Sequence, residues 1–592
     1  MMDKRQDFYK GADISSLPQC MEEGMQVRDF DGTAAEPFEL LQKYGVNSIR
    51  LRIWNRPENI PESGGYCNLE HTLTMAKKIR AYGMHFLLDF HYSDFWADPA
   101  SQRKPKEWEG LSFEELEQAV LDYTRETLLA LKQAGVLPDI VQIGNEIRSG
   151  LLFPEGELPD YAHMVRLVNA GIRGAREAAG KEETQVMIHL DQGGRYFFLK
   201  EWFAQAFANG LEEFDLIGLS YYPFWHGSFT DLKETLERLV QDYRKPIMIV
   251  ETAYAWRRSQ KGFIDEVQEK IAGLPASPEG QAKELELMMN IVASLPDAMG
   301  RGVYYWEPLN VPHQGGSGWS ENMGLLDEDG RVLEGIRQFG FTREDFRGGD
   351  YAKVYTPQTV TVRPGQEAEL PEELPVLYYD GTVRKQKVVW ETGTENKPRQ
   401  SGEYRISGTV EGIGEAVTAT VAEEAGNPGA ENPGAENLRA ENLLCDVNWE
   451  EGMARWETES SGEEVVAQVF PEFPEPFPAP PLNALRVEGT KNFTFCISQK
   501  VAVTHPGHYC LSVEWKGADT TNVEVRLFAQ SGDECRETVI HPAEQWEVYR
   551  IEDMVCRGGN LTVGIRMQSP PNYGMMRRFC LRRIVKSIQN NQ

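Results

Sequence analysis

The chain has 592 residues, room for about four ordinary domains or three if one is a large barrel. Apolar residues at 41% and charged residues at 26% are globular values, and 33 prolines with 54 glycines exclude a collagen-like or low-complexity chain. With 61 basic against 91 acidic side chains, a net charge of −30 repels phosphate backbones and argues against nucleic-acid binding.

No run of eighteen apolar residues occurs, so no membrane-spanning helix is expected. The opening MMDKRQDFYKGADIS has charge but neither an apolar h-region nor a small-residue cleavage site, and does not read as a secretory signal. A cytoplasmic protein and a secreted one whose leader has been removed both stay open.

Residues 1–345 alternate short apolar runs with longer amphipathic ones. YKGADIS, SIRLRIW, HFLLDFH, DIVQIGNE, QVMIHLD, DLIGLSYYP, PIMIVETAY and GVYYWEP are nearly continuous hydrophobics, as in parallel strands buried on both faces. Between them lie helical stretches. LSFEELEQAVLDYTRETLLALKQAG has a capping box from Ser112 to Glu115 and a stop at Gly135, and NLEHTLTMAKKIRAYG stops at Gly83. Eight such strands with intervening helices predict an eight-fold βα TIM barrel. A doubly wound sheet would need a glycine-rich phosphate turn after its first strand, and none is present.

Beyond Tyr351 the texture changes to short alternating runs broken by Gly and Pro, predicting a small β-sandwich over 351–422. GNPGAENPGAENLRAEN has nothing to bury and reads as a linker over 423–442. A larger jelly-roll-type β-sandwich is expected over 443–592. Six of the eight cysteines (Cys445, Cys496, Cys510, Cys535, Cys556, Cys580) fall in this last part. Reduced small hydrophobes and disulfides are the two alternatives there.

In a βα barrel, reactive groups stand at the carboxyl ends of strands. Those positions hold Arg50 and Arg52, Asp89 and His91, Asn145 and Glu146, His189 and Asp191, Tyr221 and Tyr222, Glu251, then Trp306 and Glu307. Two glutamates ending otherwise apolar strands are costly to bury without a task. A carboxylate pair flanking a scissile bond is the requirement of glycoside hydrolysis, one protonating the leaving oxygen and the other attacking or activating water. Asn145 is placed to reach a sugar hydroxyl. Trp54, Trp96, Trp225, Trp306 and Trp319 near strand ends are candidate sugar platforms.

GADISS, SIRLRIWNRP, LLDFHYSDFWADPASQRKPKEW, VQIGNEIRSGLLFPEG, IHLDQGG, IGLSYYPFWHGS and PIMIVETAYAW together resemble glycoside hydrolase family 53, the arabinogalactan endo-β-1,4-galactanases. The resemblance spans the first 345 residues. It implies a retaining barrel enzyme acting on galactan of pectin side chains, or on galacto-oligosaccharides, with Glu146 as acid/base and Glu251 as nucleophile. It further implies that Arg50, His91, Asp94, Trp96, Asn145, His189, Asp191, Tyr222 and Trp306 support or line the substrate groove, with Tyr221 as the alternative to Tyr222. A clan relative cleaving mannan or xylan, and a barrel retained only for binding, are the competing expectations.

Some bacterial relatives hold calcium in the loop after strand eight. Here that loop, EPLNVPHQGGSGWSENMGLL, offers only Glu307 and Glu321 as acids. Hard cations prefer six to eight oxygens with several carboxylates, so no cofactor and no metal site are expected. The 351–422 segment resembles a bacterial immunoglobulin-like module and is expected to act as a spacer. LLCDVNWEEGMARWE is similar to the start of galactose-binding-like carbohydrate-binding modules, with Trp449, Trp456, Trp515 and Trp546 as candidate platforms or core residues. The chain is expected to work as a monomer on β-1,4-galactan.

Overall fold

The computed structural model describes residues 8–259, 262–264, 268–269, 272–311, 318–355, 360–362, 370–391, 403–423, 443–444, 456–461, 465–472, 482–489, 492–503, 506–517, 524–532, 534–541, 543–556, 558–569 and 572–584. Residues 1–424 form one compact unit and 425–592 another. The expected linker over 423–442, apart from its first residue, and Cys445 and Trp449 lie outside the described residues.

In the first unit, β1 (Tyr9–Asp13), β2 (Ser48–Ile53), β3 (His85–Phe90), β4 (Ile140–Ile143), β5 (Gln185–Leu190), β6 (Leu216–Ser220), β7 (Ile247–Thr252) and β8 (Gly300–Trp306) close into a parallel barrel, β8 pairing with β1. Each of the eight apolar runs supplies one strand. The strands are buried almost throughout because helices cover them outside and side chains fill them inside. The inner plug includes Tyr9, Leu87, Ile140, Met187, Leu216, Met248, Val250 and Tyr304. It closes the amino-terminal end, leaving the carboxyl end for polar groups.

Helices follow the strands: α1 (Leu17–Glu22), α2 (Pro37–Lys43), α3 (Leu69–Ala81), α4 (Phe113–Gln133), α5 (Tyr161–Ala178), α6 (Tyr196–Ala208), α7 (Phe229–Tyr243) and α8 (Pro278–Ala293). The Ser112 to Glu115 capping box starts α4, and Gly135 follows its end at φ 73°. After β8 the described chain forms a 3₁₀ turn, Glu334–Gly340, packed on α8, where an eighth barrel helix would stand.

A six-stranded sheet follows, built from β9 (Tyr351–Val354), β10 (Val360–Val362), β11 (Glu373–Tyr378), β12 (Val383–Trp390), β13 (Glu403–Val410) and β14 (Ala416–Glu423). Its core holds Leu374, Val376, Tyr378, Val388, Val410 and Val417. It does not hang free of the barrel. Tyr379 is 1% exposed, its hydroxyl donates to Glu286 of α8 at 2.6 Å, and Arg347 lies over its ring at 4.5 Å. Thr230 of α7 donates to the Gly381 carbonyl at 2.9 Å.

The second unit contains β15 (Glu457–Ser461), β16 (Val465–Glu472), β17 (Leu482–Gly489), β18 (Phe493–Val503), β19 (Gly507–Gly517), β20 (Glu524–Ser531), β21 (Glu534–Ile540), β22 (Ala543–Cys556), β23 (Gly559–Ser569) and β24 (Asn572–Ile584). They make two antiparallel five-stranded sheets, ordered β15-β18-β23-β20-β21 and β16-β17-β24-β19-β22. The core between them includes Trp456 and Trp515, so these two tryptophans are packing residues. The alternating burial of β18 and β19 shows the one-face-in pattern of a sandwich. The described cysteines are free thiols, Cys496, Cys510, Cys535, Cys556 and Cys580 among them, as the reduced alternative expects of these five.

Candidate active site

The carboxyl ends of the barrel strands surround a cavity of about 480 Å³. Arg50, His91, Trp96, Asn145, Glu146, Asp191, Tyr222, Glu251 and Trp306 all line it. Asp94 and His189 do not.

Glu251 stands at the end of β7, buried to 7% exposure, because the strand continues apolar until that residue. Its Oε1 meets Arg50 Nη2 at 2.9 Å and its Oε2 accepts from the Tyr222 hydroxyl at 3.3 Å. Tyr221 points elsewhere, donating to the Gly227 carbonyl at 2.8 Å, so Tyr222 is the one that faces the cavity. Arg50 is fully buried on β2 and is fixed from three sides: Asp13 at 2.8 Å, Asp89 at 2.9 Å and Asn145 Oδ1 at 2.9 Å. Two aspartates thus share the charge that Glu251 would otherwise have alone. Burial pushes Glu251 up to about 7, with Arg50 opposing and Asp89 and Asp13 adding to the rise.

Glu146 follows Gly144 and Asn145 at the end of β4. The chain leaves the strand through Gly144 at φ 77°, and Glu146 itself has φ 47° and ψ 50°, a left-handed conformation unusual for glutamate. Tyr92, Gln192 and Glu307 also have positive φ just past strand ends, at 49°, 66° and 51°. Such backbone is held only where the surroundings over-determine it, a common property of functional rims. Burial holds Glu146 well above the ordinary carboxylate range, reinforced by the charges of Glu251 and Asp191.

His189 lies beneath Glu146. Its Nδ1 accepts from Gln142 Nε2 at 2.9 Å and from the Glu146 backbone N–H at 3.3 Å. Nε2 therefore bears the proton and donates to Ser220 Oγ at 2.9 Å. That leaves the Ser220 hydroxyl free to donate to the Glu146 carboxyl. Burial and the nearby Arg50 hold His189 well below the usual imidazole value, which keeps it neutral in this role. Asp94 is likewise a fastener: it accepts from Arg56 N, Asn59 Nδ2 and Lys106 N at 2.9 to 3.0 Å, tying together the loops after β2 and β3. Both residues belong to the support of the groove rather than its surface.

His91 donates from Nε2 toward Asp89 at 3.1 Å, while its Nδ1 accepts from Ala97 N and Trp54 Nε1. Asn145 gives one amide hydrogen to the Ala97 carbonyl at 2.8 Å. Asp191 pairs with Arg148 at 3.0 Å. Along one wall, aromatic rings meet edge to face: Trp96 with Trp306 at 5.7 Å, Trp306 with Trp319 at 4.5 Å, Trp319 with Phe263 at 5.2 Å and Phe263 with Trp225 at 5.5 Å. Trp54 is buried behind them, and Arg52 lies over the Trp96 ring at 4.1 Å.

Asp13, Gln142, Arg148, Gln192, Ser220, His226 and Phe263 were not anticipated. The signal for Gln142 and Asp13 was present: each is a polar residue in or ending an apolar parallel strand, where it must have a partner. Glu307 is consumed by Arg52 at 2.6 Å and by the Ser16 backbone and hydroxyl, so it does not fit a calcium ligand. Residues 312–317 of that loop lie outside the described residues.

Comparison with known proteins agrees with this architecture. The family model for glycosyl hydrolase family 53 matches residues 9–339, and that for the bacterial Ig-like domain (group 4) matches residues 356–413. An uncharacterized protein in the bgaB 5' region of Niallia circulans is 41% identical over 350 residues, covering 56% of this chain and 93% of that protein. The arabinogalactan endo-beta-1,4-galactanase A of Emericella nidulans is 36% identical over 339 residues, covering 56% of this chain and 94% of that protein. The solved catalytic domain of a family 53 protein from Ignisphaera aggregans superposes with a TM-score of 0.52 at 34% identity, over 56% of this chain and 95% of that one. With more than half its length matched and two carboxylates facing one barrel mouth, the chain belongs to glycosyl hydrolase family 53.

Proposed function

We propose that the chain is a retaining endo-β-1,4-galactanase acting on galactan or galacto-oligosaccharides, with Glu251 as nucleophile and Glu146 as acid and then base. The observation that supports it most is the unequal setting of the two glutamates. Glu251 has a cation and a phenol hydroxyl on its oxygens, both favouring the ionised form. Among the described residues Glu146 has no cation in contact, and the charges of Glu251 and Asp191 favour its protonated form. Two carboxyls pushed apart in this way divide the acid and nucleophile roles between them.

In the first step, Glu251 Oε2 attacks the anomeric carbon while Glu146 gives its proton to the departing glycosidic oxygen. Arg50 holds the other Glu251 oxygen in place. In the second step, Glu146, now ionised, takes a proton from water, which displaces Glu251 and restores both groups. Two inversions return the β configuration. The aromatic wall from Trp96 to Trp225 supplies faces on which galactose rings stack. We extend the reading to the second unit as a carbohydrate-binding module that keeps the barrel on the polymer.

The test is hydrolysis of pure β-1,4-galactan, with mannan and xylan as comparison polymers and the first-formed anomer followed by NMR. Release of β-anomeric galacto-oligosaccharides from galactan alone supports the reading. Initial α-anomer overturns retention, and preferred cleavage of mannan or xylan overturns the substrate.

A further inference from the structure

The outer face of the β15-β18-β23-β20-β21 sheet is hollowed into a cavity of about 720 Å³. The hollow comes from side-chain size. One register row crosses all five strands as Glu457, Ser498, Gly564, Phe528 and Glu537. Its middle positions on β18 and β23 are Ser498 and Gly564, while the acids stand at the edge strands. A Cβ on Gly564 would fall 2.0 Å from the Ile497 carbonyl oxygen, so that part of the floor stays bare.

The next row places Arg566 directly opposite Arg526. Like charges facing each other across strands are destabilising unless bridged. Glu537 bridges them, 3.2 Å from Arg566 and 3.6 Å from Arg526, and Glu524 holds Arg526 at 2.6 Å. Arg566 also lies over the Phe528 ring at 4.1 Å. Phe528 is thus an aromatic ring on the solvent side of a sheet, only 2% exposed, roofed by an arginine whose side chain is 48% exposed. An exposed cation can leave a ring at small cost.

The tryptophans of this unit offer no equal alternative among the described residues. Trp456 and Trp515 are in the core. Trp546, on the other sheet, has Arg577 over its ring at 4.0 Å, and Glu514 holds that arginine at 2.7 Å.

We propose that the trough on the β15-β18-β23-β20-β21 face is the glycan-binding groove of the second unit, taking a neutral galactan chain. This rests on the carbohydrate-binding reading of that unit and deepens it. Arginine and glutamate side by side present donors and acceptors to adjacent sugar hydroxyls. When Arg566 turns to a hydroxyl, the Phe528 ring is uncovered for the apolar face of a galactose. Four glutamates (Glu457, Glu459, Glu524, Glu537) against two arginines line the cavity, so a polyanion is repelled and a neutral chain is favoured.

The test is native electrophoresis in gels containing soluble β-1,4-galactan, with Glu251→Gln throughout to stop hydrolysis. Five proteins are compared: the full chain, the chain ended at residue 424, the full chain with Arg526→Ala and Arg566→Ala, the full chain with Ser498→Trp to fill the trough, and the full chain with Trp546→Ala. Both groove variants should fall to the retention of the shortened chain, at least about ten-fold weaker in apparent affinity, with unchanged thermal unfolding. Polygalacturonate in the gel should retard none of them through this unit. Groove variants that bind like the parent overturn the proposal while leaving the module reading intact. Loss on Trp546→Ala instead moves the site to the opposite sheet and equally overturns it. If the full chain is retarded no more than the shortened one, the module reading itself fails.

Discussion

Glu251 is poised between burial, which favours its neutral acid, and Arg50 with Tyr222, which favour its anion. The proposed mechanism needs it ionised and Glu146 protonated. The rate constant kcat/KM should therefore rise as Glu251 ionises near pH 7 and fall as Glu146, held up by burial and by the charges of Glu251 and Asp191, loses its proton. Tyr222→Phe removes a donor to the anion, so the rising limb should move upward by about half to one pH unit, the size of one long hydrogen bond. An unmoved limb would mean that Tyr222 does not touch the titrating group. The roles themselves separate by rescue. Glu251→Gln should abolish turnover on every substrate. Glu146→Gln should still form the covalent intermediate from an aryl galactoside, and azide, which needs no deprotonation, should release it as the β-azide. An α-azide from Glu251→Ala would exchange the two assignments. At this scale the two glutamates that face the cavity were legible in the sequence because a glutamate ending an apolar strand stands out. His189 and Asp94 were legible as site residues but not as supports, since only distances reveal that Ser220 intervenes between His189 and Glu146, and that Asp94 is saturated by loop groups.

Helix α8 secures the strand end that bears Glu251, the proposed nucleophile. Gln281 donates to the carbonyls of Tyr254 and Gly324, and one turn on, the Thr252 hydroxyl donates to Glu284 at 2.7 Å. Thr252 is the residue after Glu251. Glu284 has no exposure and, among the described residues, no cation beside it, and burial pushes it up to about 8. Its folded state thus binds a proton that the unfolded chain releases near the ordinary glutamate value of 4.5. The stabilisation is complete below that value, declines as pH rises, and is gone above about 8. Glu284→Gln keeps the shape and stays neutral. Its melting temperature relative to the parent should therefore increase steadily between pH 5 and pH 8. A constant difference across that range would show that Glu284 is ionised in the fold. The barrel strands were readable because continuous hydrophobics of strand length, separated by capped helices, admit few other folds. The 3₁₀ turn in place of a last helix was not, since EGIRQFG is short enough to pack on α8 either way.

At the scale of the whole molecule, the immunoglobulin-like module and the second unit stand differently toward the chemistry. The former is fastened to α7 and α8 by Tyr379, Arg347 and Thr230, contacts that its sequence as a spacer did not announce because each is a single polar side chain outside any hydrophobic pattern. The second unit has its own core, and the described residues that line the cavity at the barrel mouth all belong to the first. Ending the chain at residue 424 should therefore leave hydrolysis of short soluble galacto-oligosaccharides within about two-fold of the parent, because every group that touches a single bond is retained. Polymeric galactan is a different case. A tethered binding site converts the second encounter with the polymer into an intramolecular one, so its loss should lower the rate at low polymer concentration by ten-fold or more, as expected from effective concentrations in the millimolar range. The deficit should shrink as polymer concentration rises, since saturating substrate no longer needs capture. Measuring initial rates for both chains over a range of galactan concentrations decides the matter: a loss of equal size on oligosaccharide and polymer would show that the second unit supports the barrel structurally, and no loss on either would remove its part in catalysis on the polymer.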